Sequence, residues 1–554
     1  MRKCSIDTWL IIQSLIFLFL ALSFIVPNGN TSCIGDICTL SIGNWHMHDA
    51  LWHISLAKLG FTSWPLQNPF MAGETLHGYN FLLDFILFGL TKLGISPFFS
   101  FFKLLPIVAG LLYVCSVVKF VSSRTTNRLK ANLLAFFLYF GSSFSYLATL
   151  YAGQTFYYSS LRGFPVVSSI QPTTMFLNLQ FAFSLSIILW IIMLMGRQAY
   201  KRRALVLGIL FFILFGFKFY GGVVALALVV GMQLIESLKK RITLSKILEL
   251  VAIGTGSAAG ILIFYGLSTS SSFPFTFSPL ALTHLLIDDP LIFYNHSLTL
   301  ARYYLYENNS GFSPRLWVIE GVSILLFLLI NFGPRILSFF YVVKESIAKN
   351  LSDEYKIFSL IIVLTAIIPI LFVQDGGWYN TMQFLYYGVW LSGILMAEML
   401  FNILQSKNRW KYIFVGAIVL LTIPNNIEQL RYLKSEKNVI SSDELRALSV
   451  LKDAPPGVVH IFNSEHKDAL VPAIAEKPTY YLDTDQLMVT HAPYQERLAF
   501  MQKYSGGSIT TVPADYYFIY KKEWGTEDAI RALSSPTQYE LIYDSQNIAI
   551  YHKL

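Results

Sequence analysis

Residues 98–130 read FFSFFKLLPIVAGLLYVCSVVKFVSSRTTNRLK. From Phe98 to Val118 the run carries one charge, Lys103, and has about the 20-residue length an α-helix needs to cross the hydrocarbon core of a bilayer. It stops on Lys119, Arg124, Arg128 and Lys130. A spanning-length apolar run closed by a basic cluster is the signature of a membrane helix whose positive end is held on one side. Working outward, the same alternation recurs. Further apolar runs cover 9–26, 131–150, 175–195, 204–216, 219–235, 247–268, 316–334, 357–373, 379–401 and 411–424. Basic clusters lie at Arg197, Lys201, Arg202 and Arg203; at Lys239, Lys240, Arg241 and Lys246; at Arg335, Lys344, Lys349 and Lys356; and at Lys407, Arg409 and Lys411. Threading eleven spans alternately puts all five clusters on the side of the N-terminus, which the positive-inside rule makes cytoplasmic. Tyr79 to Gly94 is apolar but too short to cross comfortably, so it is expected as a shallow or re-entrant helix on the outer side. The pair 204–216 and 219–235 is interrupted by FGFKFYGG, residues 215–222, which reads as a helix break.

Composition agrees with this class. Apolar and aromatic residues make up 54% of the 554 and charged residues 13%, where soluble domains carry about 25%; the mean hydropathy is +0.53. The net charge of +8 sits in short clusters between apolar runs, a topology signal and not a nucleic-acid face. Arg2 and Lys3 precede the first run and no small-residue cleavage site follows it, which reads as a retained signal anchor. Cys33 and Cys38, in CIGDIC, fall in the first outer loop, where a disulfide or two free thiols fit equally. The expected fold is an all-α polytopic membrane bundle of about 11–13 transmembrane helices, spanning residues 1–426 with a first outer loop at about 27–79. Residues 427–554 are expected to form a small extracytoplasmic α/β domain. In that part SSDELRALSVLK (441–452) reads as a capped helix with Ser442 at the cap, and VVHIF, PTYYL, DYYFIY, YELIYD and NIAIYHK as strands. It holds no nucleophile elbow, P-loop or glycine fingerprint.

The densest polar cluster is NWHMHDALWHISLAKLG, residues 44–60, with His46, His48, Asp49 and His53 beside Trp45 and Trp52. A helix there puts Asp49 and His53 on one face, one turn apart. Two readings stand: an interfacial amphipathic helix with its tryptophans at the headgroups, or a site in which Asp49 is a general base or a metal-anchoring carboxylate. The histidine spacing is a poor match to zinc ligation. Elsewhere on the outer side the cations are Lys58, Arg162, Lys218, Arg302 and Arg315. Lys218 interrupts an apolar region, where an unpaired charge costs several kcal/mol; it reads as a phosphate partner or as a snorkelling lysine. QDGGWYNTMQFLYYGVW, residues 374–390, offers Trp378, Tyr379 and Gln383 as a sugar-binding platform or an aromatic belt.

Residues 68–114, NPFMAGETLHGYNFLLDFILFGLTKLGISPFFSFFKLLPIVAGLLYV, together with the first helix and the acidic loop before them, resemble the N-terminal module of the C-type membrane glycosyltransferases. That group includes protein O-mannosyltransferases and lipid A aminoarabinose transferases. His48 and Asp49 stand where the family has an acidic pair, Tyr79 and Asn80 where it often has two prolines, and Lys103 where an arginine is common. The resemblance implies an enzyme moving a sugar from a polyprenyl phosphate in the outer leaflet of the plasma membrane to a hydroxyl on a saccharide, lipid or protein acceptor. Such a reaction needs a base for the acceptor and cations for the departing phosphate. It assigns Asp49 and His48 to catalysis and Lys218, Arg302, Arg315, Arg162 and Lys103 to the donor phosphate. His53, Trp52, Glu74, Tyr79, Trp378, Tyr379 and Gln383 go to sugar or acceptor, with Mg²⁺ or Mn²⁺ as the candidate cofactor. A double displacement would want a second acid, for which Glu74, Asp84, Asp288, Asp289 and Asp375 are available. The rival functions are a flippase for lipid-linked saccharide, although no paired halves are visible, and a non-catalytic envelope assembly protein.

Overall fold

The computed structural model describes residues 7–34, 37–151, 173–196, 201–239, 243–266, 275–290, 292–308, 313–374, 378–432, 437–462, 469–504, 512–522 and 526–554. It is a helical, multi-pass membrane protein. Among the described residues, seven helices are long and apolar enough to cross a membrane: Thr8–Ile25, Pro97–Arg124, Phe219–Lys239, Leu244–Tyr265, Pro314–Ile347, Asp353–Leu371 and Met382–Gln405. Three further expected spans lie on shorter apolar helices, Leu179–Met195 and Lys411–Ile427 and Lys201–Phe217. Helix Leu82–Lys92 has 11 residues, about 16 Å at 1.5 Å per residue, half of what a crossing requires.

The chain divides into two compact units. One contains 1–24, 107–263 and 271–434; the other contains 25–106, 264–270 and 435–554. In the first, Met382–Gln405 is the central element: 83% of its most apolar window is buried, against 28–50% for the other six helices. It lies so close to Asp353–Leu371 that a Cβ on Gly388 would sit 1.9 Å from Thr365 Oγ1. Close approach through a small residue is how membrane helices gain packing contact where no hydrophobic force joins them.

The expected span 131–150 is not one helix. Arg128–Phe140 ends at Gly141, and Ser145–Tyr151 resumes after it. The freed carbonyls are taken by another helix: Asn426 Nδ2 donates to Phe140 O at 3.0 Å and Asn425 Nδ2 to Ser143 O at 2.7 Å. Broken backbone survives at membrane depth only with such internal partners. Gly333, at φ +55°, approaches the same break, where a Cβ would meet Ser142 O at 2.5 Å. The FGFKFYGG segment divides at Lys218, between Lys201–Phe217 and Phe219–Lys239.

In the second unit, Asn30–Ile34 pairs antiparallel with Ile37–Gly43, which pairs antiparallel with Lys437–Ile440. Cys33 and Cys38 are disulfide-bonded across the first pair. A four-stranded sheet follows in the order Val459–Phe462, Tyr516–Tyr520, Ile548–Lys553, Tyr539–Asp544. Its first pair is parallel and the others antiparallel. Tyr517, Ile519, Ala549 and Tyr551 join Ala529, Leu533 and Tyr539 in its core. PTYYL does not form a strand. Thr479 makes a single parallel bridge to Val459, and its N–H goes to Pro69 O at 3.1 Å. The helix Ser442–Asp453 is capped by Ser441, not Ser442, through a capping box with Glu444.

Candidate functional site

The helix Asn44–Leu59 carries the polar cluster. It starts where Gly43 N–H is received by Asn28 Oδ1 at 2.6 Å. From His46 to Ala57 every side chain is buried except those of His48 and Asp49, which are 53% and 41% exposed. This excludes the interfacial reading of Trp52, which is 1% exposed and meets Phe70 and Tyr79 edge-on at 4.7 and 5.6 Å.

Beneath the two exposed residues lies a buried pair. His53 Nδ1 is 2.6 Å from Asp84 Oδ1, with side chains 5% and 0% exposed. Burial raises the Asp84 carboxyl above the usual carboxylate range, and the charge and hydrogen bond of His53 oppose that shift. Phe101 stacks on the His53 ring at 5.5 Å and Tyr79 flanks it at 6.3 Å. His53 and Tyr79 are therefore packed parts of the support under Asp49.

At the surface, His48 Nε2 is ion-paired with Asp483, and His48 Nδ1 lies 3.6 Å from Asp49 Oδ1. Partial burial would lower the imidazole pKa, but hydrogen bonds and charge from Asp483 and Asp49 outweigh it and raise it to about 10. His48 is thus an imidazolium at neutral pH, held between two carboxylates. Asp483 itself is a left-handed residue at φ +50°. It caps the helix Thr484–Val489, its Oδ1 accepting from Gln486 N at 3.1 Å. A non-glycine residue in this conformation is uncommon and worth a functional question. Nothing in the sequence ties position 483 to position 48.

The other nominated residues fall as follows. Lys103 donates to the carbonyls of Val26 and Asn28. Glu74 is 3.8 Å from Arg497. Lys58 pairs with Glu476 at 3.0 Å. Lys218 is 6% exposed, its ammonium 6.0 Å from the Tyr220 ring, while Tyr220 donates to Gln374 Oε1 at 2.5 Å. Arg302 is buried in an ion pair with Asp288, its guanidinium 4.5 Å from the Tyr303 ring. Arg315 is exposed at the start of Pro314–Phe332. Gln383 donates to Asn380 Oδ1 at 3.0 Å. Arg162, Asp375 and the side chains of Trp378 and Tyr379 lie outside the described residues.

Beside Arg302 stands a pair the sequence reading passed over. His284 Nε2 is 2.6 Å from Glu320 Oε2, and Tyr306 donates to Glu320 Oε1 at 3.1 Å. The signal was available, since Glu320 interrupts an apolar span. Among the described residues no group of three or more His, Cys, Asp or Glu is placed to hold a metal ion. Comparison with known protein families and with curated proteins finds no match to the chain.

Proposed function

We propose that this protein is an integral membrane glycosyltransferase that moves a sugar from a polyprenyl phosphate to an acceptor hydroxyl on the extracytoplasmic face. The observation that carries the reading is the helix Asn44–Leu59, which buries every side chain between His46 and Ala57 except the carboxylate of Asp49 and its neighbour His48. A helix so enclosed that presents one acid is a positioned acid, and positioning is what makes a carboxylate an effective base. In the proposed step the acceptor oxygen attacks the anomeric carbon from the face opposite the phosphate. The bond to the phosphate oxygen breaks, polyprenyl phosphate leaves with the electron pair, and Asp49 takes the acceptor proton. A single displacement inverts the anomeric centre.

The reading includes eleven spans in the plasma membrane, the N-terminus cytoplasmic, and residues 427–554 outside. The test is release of free polyprenyl phosphate from a panel of polyprenyl-phosphate sugars, offered with crude acceptor extract. Wild type should release it, and Asp49→Asn should do so about 10²- to 10⁴-fold more slowly. Equal release by both would remove Asp49 from the chemistry. No release by either, with acceptor shown to be present, would favour a flippase or an assembly protein.

A further inference from the structure

Four helices of the first unit end at one level: Pro97–Arg124 at its C-terminus, Arg128–Phe140 and Asp353–Leu371 at their N-termini, and Met382–Gln405 in its last two turns. Between them is a cavity of about 120 Å³, with room for several water-sized groups. It is lined by Arg124, Lys130, Tyr355 and Glu398 together with apolar residues that include Phe120, Leu134, Phe358 and Ile394. The charges are matched. Arg124 forms a two-pronged bond to Glu354 at 2.6 Å on each arm. Lys130 meets both Glu398 oxygens at 2.9 and 2.7 Å, and Tyr355 donates to Glu398 Oε2 at 2.7 Å.

These bonds do not exhaust the groups that make them. A guanidinium has five N–H donors and an ammonium three, while each carboxylate has about four acceptor positions. Among the described residues, Arg124 uses two of its N–H groups on Glu354, and the bonds to each carboxylate are fewer than its acceptor positions. Arg124 and Lys130 both line the cavity and are only 25% and 23% exposed. Glu398 lines the cavity beside Lys130, and Glu354 neutralises Arg124 from outside the lining, so the cluster as a whole carries no net charge. A simple anion would gain from the cations and lose to Glu398, whereas a ligand carrying both signs suits the three charged groups that line the cavity.

We propose that this cavity binds the headgroup of a zwitterionic phospholipid with a primary amine, the phosphate on Arg124 and Lys130, the ammonium on Glu398, and the chain along the apolar residues. The level at which membrane helices end is where a phospholipid places its headgroup. The compact ammonium, with three donors, suits carboxylates better than a quaternary amine, which has none.

The test uses delipidated full-length protein, native mass spectrometry and equal amounts of phosphatidylethanolamine, phosphatidylcholine and phosphatidylglycerol. Phosphatidylethanolamine should be retained at least about threefold over each of the others, and Glu398→Gln should abolish that preference. Tyr355→Phe, a milder change at the same wall, should reduce it and serves if Glu398→Gln fails to fold. Free phosphoethanolamine that displaced the lipid would identify a soluble source for the same chemistry, and its failure to do so would identify the lipid. Equal retention of the three lipids, a preference for phosphatidylglycerol, or a preference untouched by the substitutions overturns the proposal.

Discussion

His48 holds its proton because Asp49 and Asp483 flank it, and that has a consequence for stability. Its folded-state pKa, about 10, lies above the ordinary value of 6.5. The link therefore contributes fully below about pH 6.5 and is lost as pH rises to about 10. Thermal melts at pH 6, 8 and 10 should show wild type losing more of its midpoint over this range than His48→Gln does; parallel losses would mean the ring is not held as an imidazolium. The buried pair behaves differently. Removing one partner of His53–Asp84, as in His53→Ala, leaves a buried acid uncompensated, an effect of about 3–5 kcal/mol, measurable as a lowered unfolding midpoint. At this scale the sequence showed which residue types cluster at 44–60, and it nominated Asp84 only as one loop acid among five. The partner at position 483 was hidden, because spacing along a chain says nothing about a contact closed across more than four hundred residues.

Among elements, boundaries were legible where local chemistry alone decides them. The FGFKFYGG break follows from the shortness of each half, and the last hairpin from its turn at 545–547. The reading of the sequence put the cap at Ser442, one residue late. The structure resolves it through Glu444, three residues after Ser441, so Ser441→Ala should cost about 1 kcal/mol and Ser442→Ala little, by chemical denaturation. The interruption at 141–144 was not legible, because its stabilising partners, Asn425 and Asn426, are far along the chain. Helix contact supplies a further expectation. Gly388→Ala would drive a methyl into Thr365 and cost about 1–3 kcal/mol, and adding Thr365→Ala should restore most of the lost melting temperature. If the double variant is no better, the close approach is not what Gly388 provides.

Over the whole molecule, membrane class was the most legible property, since apolar length and basic clustering are averages over many residues. The grouping of 25–106 with 435–554 was not, because it depends on backbone pairing between distant segments. Ala72 N–H is received by Thr479 O at 2.8 Å, Arg497 donates to Ala72 O at 2.8 Å, and Lys437–Ile440 borders Ile37–Gly43. Truncation after residue 434 should therefore expose the segment 60–78 to protease in membranes where the full chain resists; unchanged protection would show that the first loop folds without it.

That bordering strand also sets a clock. Ile37–Gly43 runs directly into the helix that presents Asp49, and its edge stays open until Lys437–Ile440 has been made, about 400 residues later. At roughly 5–20 residues per second, some 20–80 s pass with that edge uncovered. The surroundings of Asp49 are thus finished only after Lys437–Ile440, and Asp483 beyond it, have been made, so a ribosome that stalls before residue 437 leaves the acid on a strand with one edge uncovered.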